Sequence, residues 1–149
     1  MNCYHPIFCF TSEGDCLAAE LRAGNVHSSD GVLDVTKPLV ERYREWFRLF
    51  WFRGGVAFAK PEVYEYCENR RISYFIRLPM NEILKELIAE DLNRPMGRPP
   101  KSGVKVRVFD IRYQARSWSR ERRVVCKIAW HYDELFPWVH HDQFKAFCR

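Results

Sequence analysis

A mixed α/β fold, a sheet with helices packed on it, is the architecture this sequence predicts, and three observations predict it. Two apolar runs joined by a turn open the chain. Strand-like runs then alternate with stretches of helical period, and two long strand-like runs rich in Lys and Arg follow. A chain of 149 residues with 47% hydrophobic and 15% aromatic content can bury one sizeable core.

Each element has its own signal. "YHPIFCFT" and "CLAAELRAG" flank Ser12-Glu13-Gly14-Asp15, and turn residues between two apolar runs predict an antiparallel hairpin. After "NVHSSDG" a helix is expected with Thr36 as its cap, Pro38 in its first turn, and an apolar stripe of Leu39, Val40, Tyr43 and Phe47. "LFWFRGG" reads as a strand that halts at Gly54 and Gly55. Pro61 starts a second helix that faces inward through Val63, Tyr66 and Cys67. "ISYFIRLP" is the next strand, and Asn81 caps a third helix carrying Leu84, Leu87 and Ile88. "NRPMGRPPKSG" is a Pro/Gly/basic linker, followed by "VKVRVFDIRY" and "RRVVCKIAWH". In the first of these, Val104, Val106 and Val108 alternate before Phe109, Ile111 and Tyr113 take the opposite parity. That phase slip predicts a bulge or bend. In the second, Val124, Cys126, Ile128 and Trp130 share one face.

Charge is localised. From Asp91 to Lys127 there are eleven Lys and Arg against three acids, a net of +8 in a chain that totals +5, so the remainder carries −3. A basic region of this kind points to a polyanion. Interleaved Tyr113, Trp118 and Trp130 add surfaces on which bases stack. The candidate nucleic-acid contacts are Arg98, Lys101, Lys105, Arg107, Arg112, Arg116, Arg120, Arg122 and Arg123.

Other clusters carry less. The six cysteines have no zinc-site spacing, and the N-terminus shows no signal-peptide pattern, which predicts reduced, buried thiols in the cytosol. No apolar run is long enough to span a membrane. His27, Asp30 and Asp34 read as turn and helix-start residues ahead of a metal site, and Glu62, Glu65 and Glu68 as helix surface. His140, His141 and Cys148 read as part of a solvated tail.

"CYHPIFCF", "LRAGNVHSSDG", "FRGGVAFAKPEVYEYCE", "YFIRLPMNEIL", "RPMGRPPKSG" and "DIRYQARSW", in this order, resemble bacterial insertion-sequence transposases with a DDE catalytic domain of the group 1 type. The resemblance runs from about Asn2 to Pro137. It implies a partial ribonuclease-H-like mixed sheet with flanking helices over residues 1–93, a basic β-rich insertion over 94–137, and an unmatched C-terminal tail over 138–149. In that family two Asp and one Glu hold two magnesium ions, which, roughly 4 Å apart, can activate a hydroxyl and stabilise the leaving oxygen at a phosphodiester.

The second Asp of the family ends a strand in a pattern like Arg-(Ala or Gly)-Asp-x-x-Phe. This chain reads Arg53-Gly54-Gly55-Val56-Ala57-Phe58, so the matching position is Gly55. The first Asp falls upstream of Met1 and the Glu beyond the matching text, so no metal is expected to be held here. The resemblance implies DNA as partner, with an intact transposase or a second copy of the chain as further candidates. Three readings stand: a transposase fragment that does not catalyse, a DNA-binding or regulatory module acting on an intact transposase, and a hydrolase with a rebuilt metal site.

Overall fold

A computed structural model describes residues 3–93, 96–98, 101, 103–131 and, as backbone, 143–148. Strands β1 (Ile7–Phe10) and β2 (Cys16–Glu20) form the expected antiparallel hairpin as a sheet of their own, with a register shift between Cys9 and Phe10. Helix α1 (Val32–Tyr43) packs beside it. Then come β3 (Trp51–Gly54), a 3-10 turn (Val56–Phe58), α2 (Pro61–Asn69), β4 (Ser73–Arg77) and α3 (Glu82–Leu87). The chain continues through β5 (Val104–Tyr113), β6 (Arg122–His131) and β7 (Gln143–Cys148). The second sheet has the order β3-β4-β7-β6-β5, with β3 parallel to β4 and the other pairs antiparallel. Strands from all three expected segments meet in it.

Parity decides which face of this sheet is covered. Tyr74 and Ile76 of β4 and Val124, Cys126, Ile128 and Trp130 of β6 are buried against Val63, Tyr64 and Cys67 of α2 and against Leu84 and Ile88 at α3. Enclosing one Ile or Leu in this way stabilises the fold by roughly 1.5–3 kcal/mol. Two polar groups at the layer are paired: Asn81 Nδ2 donates to the Tyr113 hydroxyl at 3.0 Å, and Trp130 Nε1 to the Leu92 carbonyl at 3.1 Å. Asn81 Oδ1 accepts from the Leu84 amide at 2.8 Å, which is the predicted cap of α3. The opposite face carries Trp51, Arg53, Phe75, Arg77, Arg123 and Lys127, none of them buried.

The structure corrects several expectations. Helix α1 starts at Val32 behind Gly31, which has φ 74°, a left-handed conformation that glycine adopts without strain. Thr36 is one turn inside, its hydroxyl donating back to the Val32 carbonyl at 2.7 Å, and Pro38 sits mid-helix. The helix ends at Tyr43, so Phe47 lies beyond it and is exposed. Tyr64, which the sequence reading leaves out, is fully enclosed by the core, while Tyr66 is half-buried and packed against it; Leu87 is exposed on α3.

Strand β5 has no bulge: its ten residues pair with β6 without interruption, from Val104↔His131 to Tyr113↔Arg122. The phase slip in its sequence reflects cover rather than backbone. Phe109, Ile111 and Tyr113 lie on the helix-covered face, whereas Val106 and Val108 lie on the other and remain exposed. Residues 143–148, expected as solvated tail, form the strand between β4 and β6; His140 and His141 lie outside the described residues. Cys67 and Cys126 are buried as expected, but Cys3 and Cys16 are exposed.

Candidate functional site

The strand β3 runs out at two glycines with different reasons to be glycine. A Cβ on Gly54 would stand 3.0 Å from a Phe52 ring carbon and 3.1 Å from Phe58 Cβ, so the turn packs its own phenylalanines against the bare backbone. At Gly55 a Cβ would meet nothing within 4 Å. Its φ of −73° and ψ of −175° are open to every L residue, so neither space nor backbone demands glycine there. Gly55 precedes the 3-10 turn, its carbonyl accepting the Phe58 amide at 3.1 Å, and Lys60 then leads into Pro61 and α2. A side chain at Gly55 would stand at the carboxyl end of β3, where ligands of α/β sheets gather.

Lys60 ties this turn to the loop before α1. Its Nζ lies 3.1 Å from Asp30 Oδ1, while Asp30 Oδ2 accepts the His27 amide at 3.0 Å. These bonds, the Lys60 one foremost, hold the Asp30 carboxyl below the usual carboxylate range. Arg22 stitches the same loop from inside: Nε donates to the His5 carbonyl at 3.0 Å, and Nη1 to the carbonyls of His27, Ser28 and Asp30. His27 Nδ1 lies 2.8 Å from the Ser29 hydroxyl. The His27–Asp30 cluster is therefore loop architecture, as the sequence suggests, and Asp34 sits in the first turn of α1, where the helix dipole favours an acid. Among the described residues no group of three or more His, Cys, Asp or Glu could hold a metal ion. Gly55 itself brings no side-chain oxygen to a cation.

The basic candidates divide. Arg122 leaves the set: it is 3% exposed, and its Nε and Nη2 donate to Glu68 at 2.8 and 3.0 Å. Its guanidinium lies 5.1 Å from the ring centres of both Tyr64 and Trp118, which meet edge to face with centroids 5.2 Å apart, so one cation contacts two rings. Glu68, expected on the helix surface, is the hub of this pair. Tyr74 donates to its Oε1 at 2.8 Å, and Arg120 Nη2 stands 2.8 Å from its Oε2. Burial alone would raise the Glu68 carboxyl; hydrogen bonds from Arg122 and Tyr74 overcome that and hold it below its ordinary value.

The sequence carried a signal for both residues. Glu68 lies four residues after inward-facing Tyr64, and Arg122 continues the parity of Val124, Cys126, Ile128 and Trp130. A buried charge on an apolar face calls for a buried partner.

The remaining candidates are not buried. Arg116 and Arg120 are at the β5–β6 turn, with Arg112 and Arg123 paired across the strands beside it. Lys105 and Arg107 lie towards the other end of the hairpin, after Arg98 and Lys101. Along β5, Arg107 and Arg112 are five residues apart, roughly 17 Å at ordinary strand rise. Arg107 pairs with Asp91 at 2.7 Å and Arg123 with Asp110 at 2.9 Å.

The transposase DDE domain group 1 family matches residues 1–142. The chain belongs to this family. The match runs five residues past Pro137, where the visible resemblance ends. No curated protein and no solved structure matches the chain. Membership connects the chain to DNA transposition, with DNA as the partner that the family implies and divalent metal as its usual cofactor. No helix among the described residues is long and apolar enough to cross a membrane.

Proposed function

We propose that this chain is a DNA-contacting part of a group 1 transposase that does not itself cut DNA. The observation that carries this reading is Gly55. It occupies the position matching the family's second Asp, at a strand end whose backbone and open space would accept a carboxylate. In the same reading β3, α2 and β4 are the parallel unit of a partial ribonuclease-H-like core, and β5 and β6 are the basic insertion beside the DNA.

Duplex contact is assigned to Arg98, Lys101, Lys105, Arg112 and Arg116, for which no ion pair is recorded among the described residues, with Arg107, Arg120 and Arg123 available on exchange of their carboxylate partners. If five cations neutralise phosphates, log K should fall against log salt with a slope near about −4.5, at roughly −0.9 per phosphate. The test combines that titration with a plasmid-nicking assay in magnesium or manganese. Salt-sensitive, sequence-tolerant binding without nicking is expected; metal-dependent nicking by the native chain overturns the non-catalytic reading.

A second reading, a module that modulates an intact transposase, is favoured by β3. It is one of the two edge strands of its sheet, and an exposed edge is a template for pairing with another chain.

A further inference from the structure

We propose that the face of the five-stranded sheet opposite the helices binds single-stranded nucleic acid, stacking a base on Trp51 with Arg53 and Arg77 holding the adjoining phosphates. Register puts these residues together. Trp51 and Arg53 stand opposite Ser73 and Phe75, and Arg77 is linked through Lys145 to Val125 and on to Asp110 in one row across four strands. The alternate residues, Tyr74, Ile76, Val124 and Cys126, are the ones buried under the helices. The Trp51 indole lies 5.2 Å from the Phe75 ring at 14° from parallel, yet stays 60% exposed. Phe75 thus orients the indole while much of its surface faces outward. Arg53 and Arg77 are each two residues further along their strands from one member of the ring pair, about 7 Å at ordinary strand rise, and both are exposed.

Charge selects the occupant. The face presents Arg53, Arg77, Arg112, Arg123 and Lys127 against one acid on these strands, Asp110, itself paired with Arg123. A second copy of the chain laid on this face would set cation against cation, whereas a polyanion is complementary. An exposed indole adds a preference within the polyanions. Bases in a duplex are already stacked, while a single strand offers its ring faces to an aromatic platform. Arg112 and Arg123 are shared with the duplex contact proposed for the hairpin, but Trp51, Arg53 and Arg77 belong to no sequence-predicted contact, so changes at these three test this site separately.

The test uses the whole 149-residue chain, a labelled oligothymidylate and a labelled duplex of equal length, with affinity read by fluorescence anisotropy. Trp51→Ala should weaken oligothymidylate binding about tenfold, the scale of one lost stacking contact, and leave duplex affinity within about twofold. Trp51→Phe should retain most of the single-strand affinity. Should Trp51→Ala fail to fold, the double variant Arg53→Gln, Arg77→Gln should reduce the single-strand salt slope by about 1.4, at roughly −0.7 per phosphate. Absence of oligothymidylate binding overturns the proposal, as does an unchanged affinity in these variants. Loss of a dimer in Trp51→Ala with unchanged oligothymidylate affinity would assign the face to a second copy instead.

Discussion

Replacing Gly55 with Asp separates structure from chemistry at the end of β3. The position has φ −73° and an empty Cβ environment, so the substitution introduces no steric conflict. Two small gains are expected. Removing a glycine from a backbone conformation that other residues share lowers the freedom of the unfolded chain, worth about 0.4–1 kcal/mol in Gly-to-Ala substitutions. Gly55 also precedes the 3-10 turn and provides no side-chain cap, a role in which Asp exceeds Gly by a few tenths of a kcal/mol. Together they predict a stabilisation of about 0.5–1 kcal/mol, or a rise in Tm of roughly 1–4 °C for a domain of this size.

Catalysis should not follow. Magnesium keeps most of its water unless several oxygens converge on it, and two-metal phosphoryl chemistry depends on its ligands acting as a unit. Plasmid nicking by Gly55→Asp should therefore stay at background in magnesium and in manganese, while thermal and urea unfolding report the gain. A loss of more than about 1 kcal/mol in the variant would show that glycine is structurally required at residue 55, against the reasoning from its open space. Metal-dependent nicking by Gly55→Asp would show a ligand set that the described residues do not contain.

Four further outcomes test the surrounding account. Gly54→Ala should destabilise by about 1–3 kcal/mol, because its Cβ would press on Phe52 and Phe58; a neutral result in urea unfolding would remove the packing explanation for that glycine. The Tyr64 hydroxyl is buried with no hydrogen-bond partner among the described residues, so Tyr64→Phe should be neutral or stabilise by up to about 1 kcal/mol, and a large loss would reveal a hidden partner. The folded-state pKa of Glu68 is depressed, so its contribution is present above the unfolded value of about 4.3 and fades as pH falls through the folded one; in Glu68→Gln the acid-side decline should be shallower, and an identical decline would acquit the Arg122 pair. Arg112→Ala with Arg116→Ala should flatten the duplex salt slope by about 1.8, and an unchanged slope would move the contact surface off the hairpin tip.

Local signals carried most of the element order. The first hairpin, the start of α2 at Pro61, the cap at Asn81 and the long β5–β6 hairpin each depend on residues within a few positions, and each stands where the sequence puts it. Non-local partners leave no such local signal. Residues 143–148 have no reason of their own to be a central strand; they become one because β4 and β6 supply unpaired backbone on both sides. The start of α1 was missed because Thr36 and Pro38 look like a helix N-terminus, and only the left-handed turn at Gly31 shows that the helix is already one turn old.

The candidate site divides along the same line. Its position at the strand end was legible because Gly54 and Gly55 interrupt an apolar run, but the two glycines are indistinguishable in sequence. Only the distances to Phe52 and Phe58 show that the first is held by packing and the second by nothing. The basic region was legible as charge and illegible as geometry. Counting Arg122 among the open cations treats charge as a surface property, whereas the parity of β6 turns that side chain inward, to Glu68 and against Tyr64 and Trp118. The same parity sends Arg123 and Lys127 outward, onto the face that carries Trp51. Adjacent residues of one basic strand therefore have opposite surroundings: Arg122 ties the hairpin to α2, and Arg123 stands exposed on the other face, paired with Asp110.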